Sequence, residues 1–120
     1  MREIEIMEIL LGGENSKNEF KHSDVPPKQL AKEIVSFANM NGGKIILGVE
    51  DSGTISGIQR PDLQAWLMDT VIGRYFTPQI IPDYEEVSTK DGKVAIIDVP
   101  VGAAKPYTVK RDDRLDITSG

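Results

Sequence analysis

The run Lys44-Ile45-Ile46-Leu47-Gly48-Val49 constrains this chain more than any other stretch. Successive side chains of a strand point to opposite faces, and here both faces are apolar. A strand of that kind is buried on both sides, so it lies inside a sheet with material packed on each face. The segment before it supplies one such layer. Leu30, Ile34, Phe37 and Ala38 repeat at helical spacing, with Ala31 and Val35 alongside. Val25-Pro26-Pro27 opens this helix, with Pro27 near its first position and the anionic Asp24 at that end. Asn41-Gly42-Gly43 ends it and turns the chain.

The remaining elements follow from the same signals. Residues 3–11 read as a helix with Ile4, Met7 and Leu11 on one face, joined by Ile6 and Leu10, and stopped by Gly12-Gly13. The Ile4/Ile6 alternation also suits a strand. Asn18–His22 is a short strand with Phe20 pointing inward. Asp51-Ser52-Gly53 turns the chain into a returning hairpin strand, Thr54–Ile58. A third helix opens at Pro61-Asp62, with Leu63, Trp66, Leu67, Thr70 and Val71 on one side, so Phe37 and Trp66 both face the sheet. Pro78 and Pro82 bracket an irregular or edge segment. Tyr84–Thr89 and Lys93–Val99 are strands joined at Lys90-Asp91-Gly92. A last strand is expected at Tyr107–Lys110. The order is α-β-α-β-β-α-β-β. It predicts an α+β fold, a mixed β-sheet with helices packed on it, as a single domain over residues 1–120.

Composition narrows the chemistry. There is no cysteine, which excludes disulfides, thiolate metal sites and thiol nucleophiles, and one histidine, His22. No apolar run approaches the ~18 residues of a membrane span. The start, Met1-Arg2-Glu3-Ile4-Glu5, lacks the basic and apolar parts of a signal peptide. A cytoplasmic protein with no membrane partner is expected. Gly42-Gly43-Lys44 is not a phosphate loop: Ala38 stands where that motif needs its first glycine, and Ile45 follows the lysine. The net charge of −5 argues against a large phosphate footprint. The charge is unevenly spread, however. Lysines outnumber acids over residues 15–44, and basic residues dominate again from Lys105 onward. A fold that joins these two blocks would carry a basic face on an acidic protein.

Two stretches stand together: Glu14-Asn15-Ser16-Lys17-Asn18-Glu19-Phe20-Lys21, and the run from Phe37 through Asn39, Gly42-Gly43 and Gly48-Val49-Glu50-Asp51 to Gly53. They resemble the Schlafen AlbA-type domain, a family described as DNA-binding and found in transcriptional-regulator-like proteins. Val94–Pro100 and Lys105-Pro106-Tyr107 resemble its second half, so the likeness covers about Glu14 to Tyr107. Read as residues alone, most of this motif is structural. Ala38 is small where a helix meets a sheet, Gly48 admits a close neighbour, and Asn39 and Asn41 can bond free backbone groups at a helix end. The carboxylates differ. In eukaryotic Schlafen relatives two glutamates five apart and a distant aspartate form the site of a metal-dependent ribonuclease. The resemblance carries these roles to Glu14, Glu19 and Asp51, with Glu50 as substitute for the last. Clustered carboxylates suit Mg²⁺ or Mn²⁺, which can activate water beside a phosphate. The plain alternative is two solvated charges and a β-turn aspartate. One departure is visible: the family closes on an arginine followed by Gly-Ser, where this chain has Leu115–Gly120. Either that strand is divergent, or the chain is the N-terminal part of a longer regulator.

Three functions stay open. The first is a nucleic-acid-binding module of a transcriptional regulator, contacting DNA or RNA through Lys17, Lys21, Lys28, Lys32, Lys105, Lys110, Arg111 and Arg114. The second is a metal-dependent endoribonuclease of the Schlafen type using Glu14, Glu19 and Asp51, with these three as the metal ligands; for it, the strands at 18–22 and 44–50 must pair. The third is a dimerisation or structural domain. Tandem domains in Schlafen relatives form a clamp, which a single domain would match as a homodimer.

Overall fold

The computed structural model describes residues 1–77, 79–103 and 105–109. Strand β2 (Gly43–Leu47) is interior, as its composition requires. It is flanked by β1 (Asn18–Lys21) in parallel and by β5 (Gly92–Val99) antiparallel, and β4 (Asp83–Thr89) closes the order β1-β2-β5-β4. The expected pairing of the first two strands is present, with Glu19 opposite Ile45 and Lys21 opposite Leu47. The β4–β5 hairpin turns at Lys90-Asp91, with Thr89 opposite Gly92. A second, two-stranded sheet pairs β3 (Phe76–Thr77) with β6 (Thr108–Val109). This is the mixed α+β architecture the pattern predicts.

The register sorts the side chains by face. Ile45, Leu47, Ala95, Ile97 and Val99 point to one side, where α2 (Pro27–Asn39) lays down Leu30, Ala31, Ile34, Val35 and Ala38. Phe20, Ile46, Val87, Val94 and Ile96 point to the other side, against Ile6 of α1 (Glu3–Gly12). Two glycines make close approaches possible. A Cβ on Gly43 would stand 2.4 Å from the Phe37 ring, and Gly48, at φ 91°, would bring one to 3.0 Å from the Gly57 backbone. Among the described residues no helix is long and apolar enough to cross a membrane.

Four details depart from the expected elements. The buried residue of α1 is Ile6, supported by Ile9 and Leu10, whereas Ile4 and Leu11 face solvent. Apolar residues surround this helix, so periodicity gives it no direction. The returning strand at 54–58 shrinks to one bridge, Val49 with Ile55. Its backbone is drawn elsewhere: Ser56 and Gly57 N–H both donate to Gly48 O, and Ile58 N–H donates to Lys93 O. The third helix is interrupted. It runs as α3 (Leu63–Trp66), a π-helical segment (Leu67–Ile72) and α4 (Gly73–Tyr75). The wider π turn puts Ile72 five residues from Leu67 on the buried side, together with Val71. Finally, Phe37 and Trp66 pack on the core only half-buried.

Candidate nucleic-acid interface

Lys28 and Lys32 sit one helical turn apart near the start of α2, Lys28 partly exposed at the flank of the buried stripe and Lys32 exposed. The helix ends where the Met40 and Gly42 N–H groups both donate to Phe37 O. Its free carbonyls there form a partial negative pole. Lys105 Nζ reaches Met40 O at 3.3 Å, so the second basic block comes to the C-terminal end of α2, the end opposite Lys28 and Lys32. Asn39 sets that approach. Its side-chain amide donates to Tyr107 O at 3.0 Å, and its Oδ1 accepts from Tyr107 N–H at 2.6 Å. The asparagine thus holds a distant strand rather than its own helix end.

Lys17 lies in the loop before β1. Asn15 Oδ1 accepts from the Lys17 and Asn18 N–H groups, and Lys17 O accepts from Lys44 N–H at 2.8 Å. Lys17 and Lys44 line one open cavity of about 470 Å³ with Asn18, Asn41, Gly42 and Gly43. Asp98 pairs with Lys44 at 3.3 Å and partly offsets it. Lys44 belongs to this basic end although sequence reasoning gave it no contact role; its neighbours in space are 17 and 98, which no local pattern reveals.

Lys21 is different. It is held between Glu19 at 3.6 Å and Glu33 of α2 at 3.9 Å, and only a small part of its side chain is exposed. Lys110, Arg111 and Arg114 lie outside the described residues.

The carboxylates divide. Glu14 and Glu19 are in contact and share a hydrogen bond, and Glu14 Oε2 also accepts from Phe20 N–H at 2.9 Å on the open edge of β1. Burial, and then the charges of Glu33 and Glu14, raise the Glu19 pKa above the ordinary carboxylate value; Lys21 opposes them and the Glu14 hydrogen bond adds to them. Asp51 is exposed in the turn after β2 and is not among the charges that act on Glu19. Glu50, its substitute, stands 3.6 Å from His22 Nε2. Among the described residues no three histidine, aspartate or glutamate side chains are grouped to hold one metal ion. The carboxylates in contact are therefore Glu14 and Glu19, with the charge of Glu33 nearby.

Sequence reasoning also missed Arg60. Its guanidinium lies 3.9 Å from the centroid of the Trp66 ring, and its Nε donates to Ser23 O at 3.3 Å.

Known proteins bear on this arrangement. The family model described as Schlafen, AlbA_2 matches residues 14–117. The fold is similar to the N-terminal domain of a protein from Nitrosomonas europaea described as an ATP-dependent DNA helicase RecG-related protein. The TM-score is 0.72 at 21% identity, over 92% of this chain and 82% of that one. It is also similar to the DIP2311 protein of Corynebacterium diphtheriae, with a TM-score of 0.63 at 22% identity. That match covers 89% of this chain and 26% of the other, so this chain spans about a quarter of it.

Proposed function

Because this chain belongs to the Schlafen, AlbA_2 family, we propose that it is a nucleic-acid-binding module, acting in the cytoplasm as part of a transcriptional regulator. The supporting observation is the basic rim where α2 ends and β2 begins. Lys17 and Lys44 share a cavity there, and Lys105 docks beside it on Met40. Lys28 and Lys32 add basic charge in the first two turns of α2, toward the other end of that helix. The helicase-related description of one structural neighbour agrees with a nucleic-acid partner. Binding on such a rim is electrostatic, so it weakens as salt rises. Affinity in the non-specific range is expected, roughly 10⁻⁴ to 10⁻⁶ M at physiological salt.

The test is a gel-shift series over salt with DNA and RNA. Lys17→Glu with Lys44→Glu should weaken binding to every sequence and flatten the salt slope by about one unit per lysine lost. Lys21→Glu should do less, because Glu19 and Glu33 already neutralise that charge. Binding indifferent to salt and to the double reversal would end this reading. A second copy would double the rim, and light scattering with and without a bound oligonucleotide measures that.

The contact between Glu14 and Glu19 favours a second reading, the metal-dependent endoribonuclease. It requires Asp51 or Glu50 to join that pair. Cleavage of structured RNA that depends on Mn²⁺ and disappears in Glu19→Ala would establish it. No cleavage by the folded parent protein would dismiss it.

A further inference from the structure

Three departures from ordinary backbone and packing fall within one short stretch. Asp62 takes a left-handed conformation, φ 53°, without being glycine. Trp66 ends a helical turn and is followed directly by the π-helical segment Leu67–Ile72. The Arg60 guanidinium carbon stands over the Trp66 indole, 3.9 Å from its centroid. Such irregularities cost stability and persist where the surrounding structure fixes them, and π turns are frequent at functional sites.

The surroundings here do fix them. Ser23 is fully buried, and its hydroxyl accepts from Gln59 N–H at 3.1 Å while its carbonyl accepts from Arg60 Nε. Ile58 N–H is bound to Lys93 O at 2.9 Å, and Trp66 N–H to Asp62 O at 2.9 Å. Trp66, half-buried, packs against the α2-side core. The guanidinium is therefore oriented from below by the indole and from the side by Ser23. It borders a groove of about 590 Å³, within the size range of small-ligand sites, with Asp62, Gln64, Glu86 and Lys93 among its other lining residues.

Charge decides what fits. Arg60 and Lys93 are met by Asp62 and Glu86, and Lys93 is already paired with Glu86 at 3.4 Å. The groove is balanced, so it gives a phosphate little preference. A flat, uncharged, polar ring is favoured instead, since a guanidinium plane stacks on such rings and its remaining N–H groups can bond their edges.

We infer that Arg60, held over Trp66, is a stacking platform for an unpaired nucleobase, and that this domain engages single-stranded nucleic acid through it. The inference deepens the nucleic-acid reading and rests on it. The lysine rim holds the backbone, and the Arg60–Trp66 platform takes a base whose face is free only when unstacked. Base stacking of this kind tolerates every sequence, so it sets strand preference rather than sequence preference.

Trp66 is the only tryptophan in the chain, so its emission reports on the surroundings of its contact with Arg60, at the border of this groove. The experiment titrates the parent protein with a fluorescein-labelled oligo(dT) and with a labelled duplex. Label anisotropy and Trp66 emission are read together. The expected result is binding of both nucleic acids by anisotropy, with Trp66 emission changed by the single strand only. Arg60→Lys keeps the charge and loses the plane. It should weaken single-strand binding by roughly tenfold, the scale of one stacked base, and leave duplex binding as it was. Anisotropy that reports single-strand binding while Trp66 emission stays constant would overturn the platform and leave the lysine rim standing. So would Arg60→Lys binding the single strand like the parent. No binding of either nucleic acid at low salt would overturn both. The emission arm needs no variant, so an unstable Arg60→Lys would not rescue the proposal.

Discussion

The two faces of the central sheet are buried by different means. On the α2 side, α2, the π-helical segment and residues around β6 all contribute to one broad cluster. On the opposite side one helix of ten residues, α1, contributes a single fully buried side chain, Ile6, above Phe20, Ile46, Val94 and Ile96. The family match begins at residue 14, after α1, so the broad face belongs to the shared domain and the cover of the thin face lies outside it. The features carrying the proposed function do not follow that division. Lys28, Lys32, Lys105, Asn39 and Trp66 belong to the α2-side layer or pack against it, whereas Lys44 alternates with Ile45 and Leu47 toward the α1 side, where Ile9 of α1 helps line its cavity with Lys17.

A thin face concentrates its stability in few residues. Phe20 is the largest fully buried side chain there, enclosed among three strands and α1. Phe20→Ala should cost ~3–5 kcal/mol in urea unfolding, whereas Leu11→Ala, on an 89% exposed residue of α1, should stay within about 0.5 kcal/mol. Similar losses at the two positions would mean that α1 presents another face to the sheet. Asn39→Ala comes next. It removes the two hydrogen bonds that Asn39 makes with the Tyr107 backbone, and losing such bonds at a partly buried site costs about 1–3 kcal/mol. It should also lower nucleic-acid affinity, because Lys105 loses the anchor two residues away. Lost stability with unchanged affinity would detach the β6 region from the proposed interface. Phe37→Ala is expected to be milder still. Full burial of a phenylalanine contributes ~1.5–3 kcal/mol, and this ring is only half-buried, so a cost of about 1–2 kcal/mol is expected.

What the sequence made legible was local. Lys44–Val49 declares an interior strand by being apolar on both faces, and Asp91-Gly92 declares a hairpin by its turn chemistry. α2 shows its buried stripe because its polar and apolar residues alternate cleanly. α1 has no such contrast. Ile4, Ile6, Met7, Ile9, Leu10 and Leu11 leave it apolar nearly all round, and only the sheet selects Ile6. The site was legible to the same degree. Glu14 and Glu19 are near in sequence and meet, whereas the pairs Asn39 with Tyr107, Lys44 with Asp98 and Arg60 with Ser23 span long separations and arise from tertiary packing alone.

The smallest expected effect tests the acidic corner on the α2 side. Glu19 stands beside Glu14 and Glu33, with Lys21 as the nearby cation. Its folded pKa lies above the unfolded one, so in the interval between them the native state holds the extra proton. Stability contributed by this group is then present below the unfolded pKa and falls away as pH rises through the folded one. At neutral pH the charged carboxylate opposes folding. Glu19→Gln keeps the shape and removes the charge, so it should melt slightly above the parent near pH 7. That advantage should shrink on acidification and vanish below about pH 4, where the parent carboxyl is protonated in both states. Thermal melts of the two proteins across this range measure it. If the variant melts below the parent at neutral pH, the Lys21 pairing outweighs burial and the neighbouring acids. The corner would then be a stabilising ion-pair network rather than a cluster held together against its own charge.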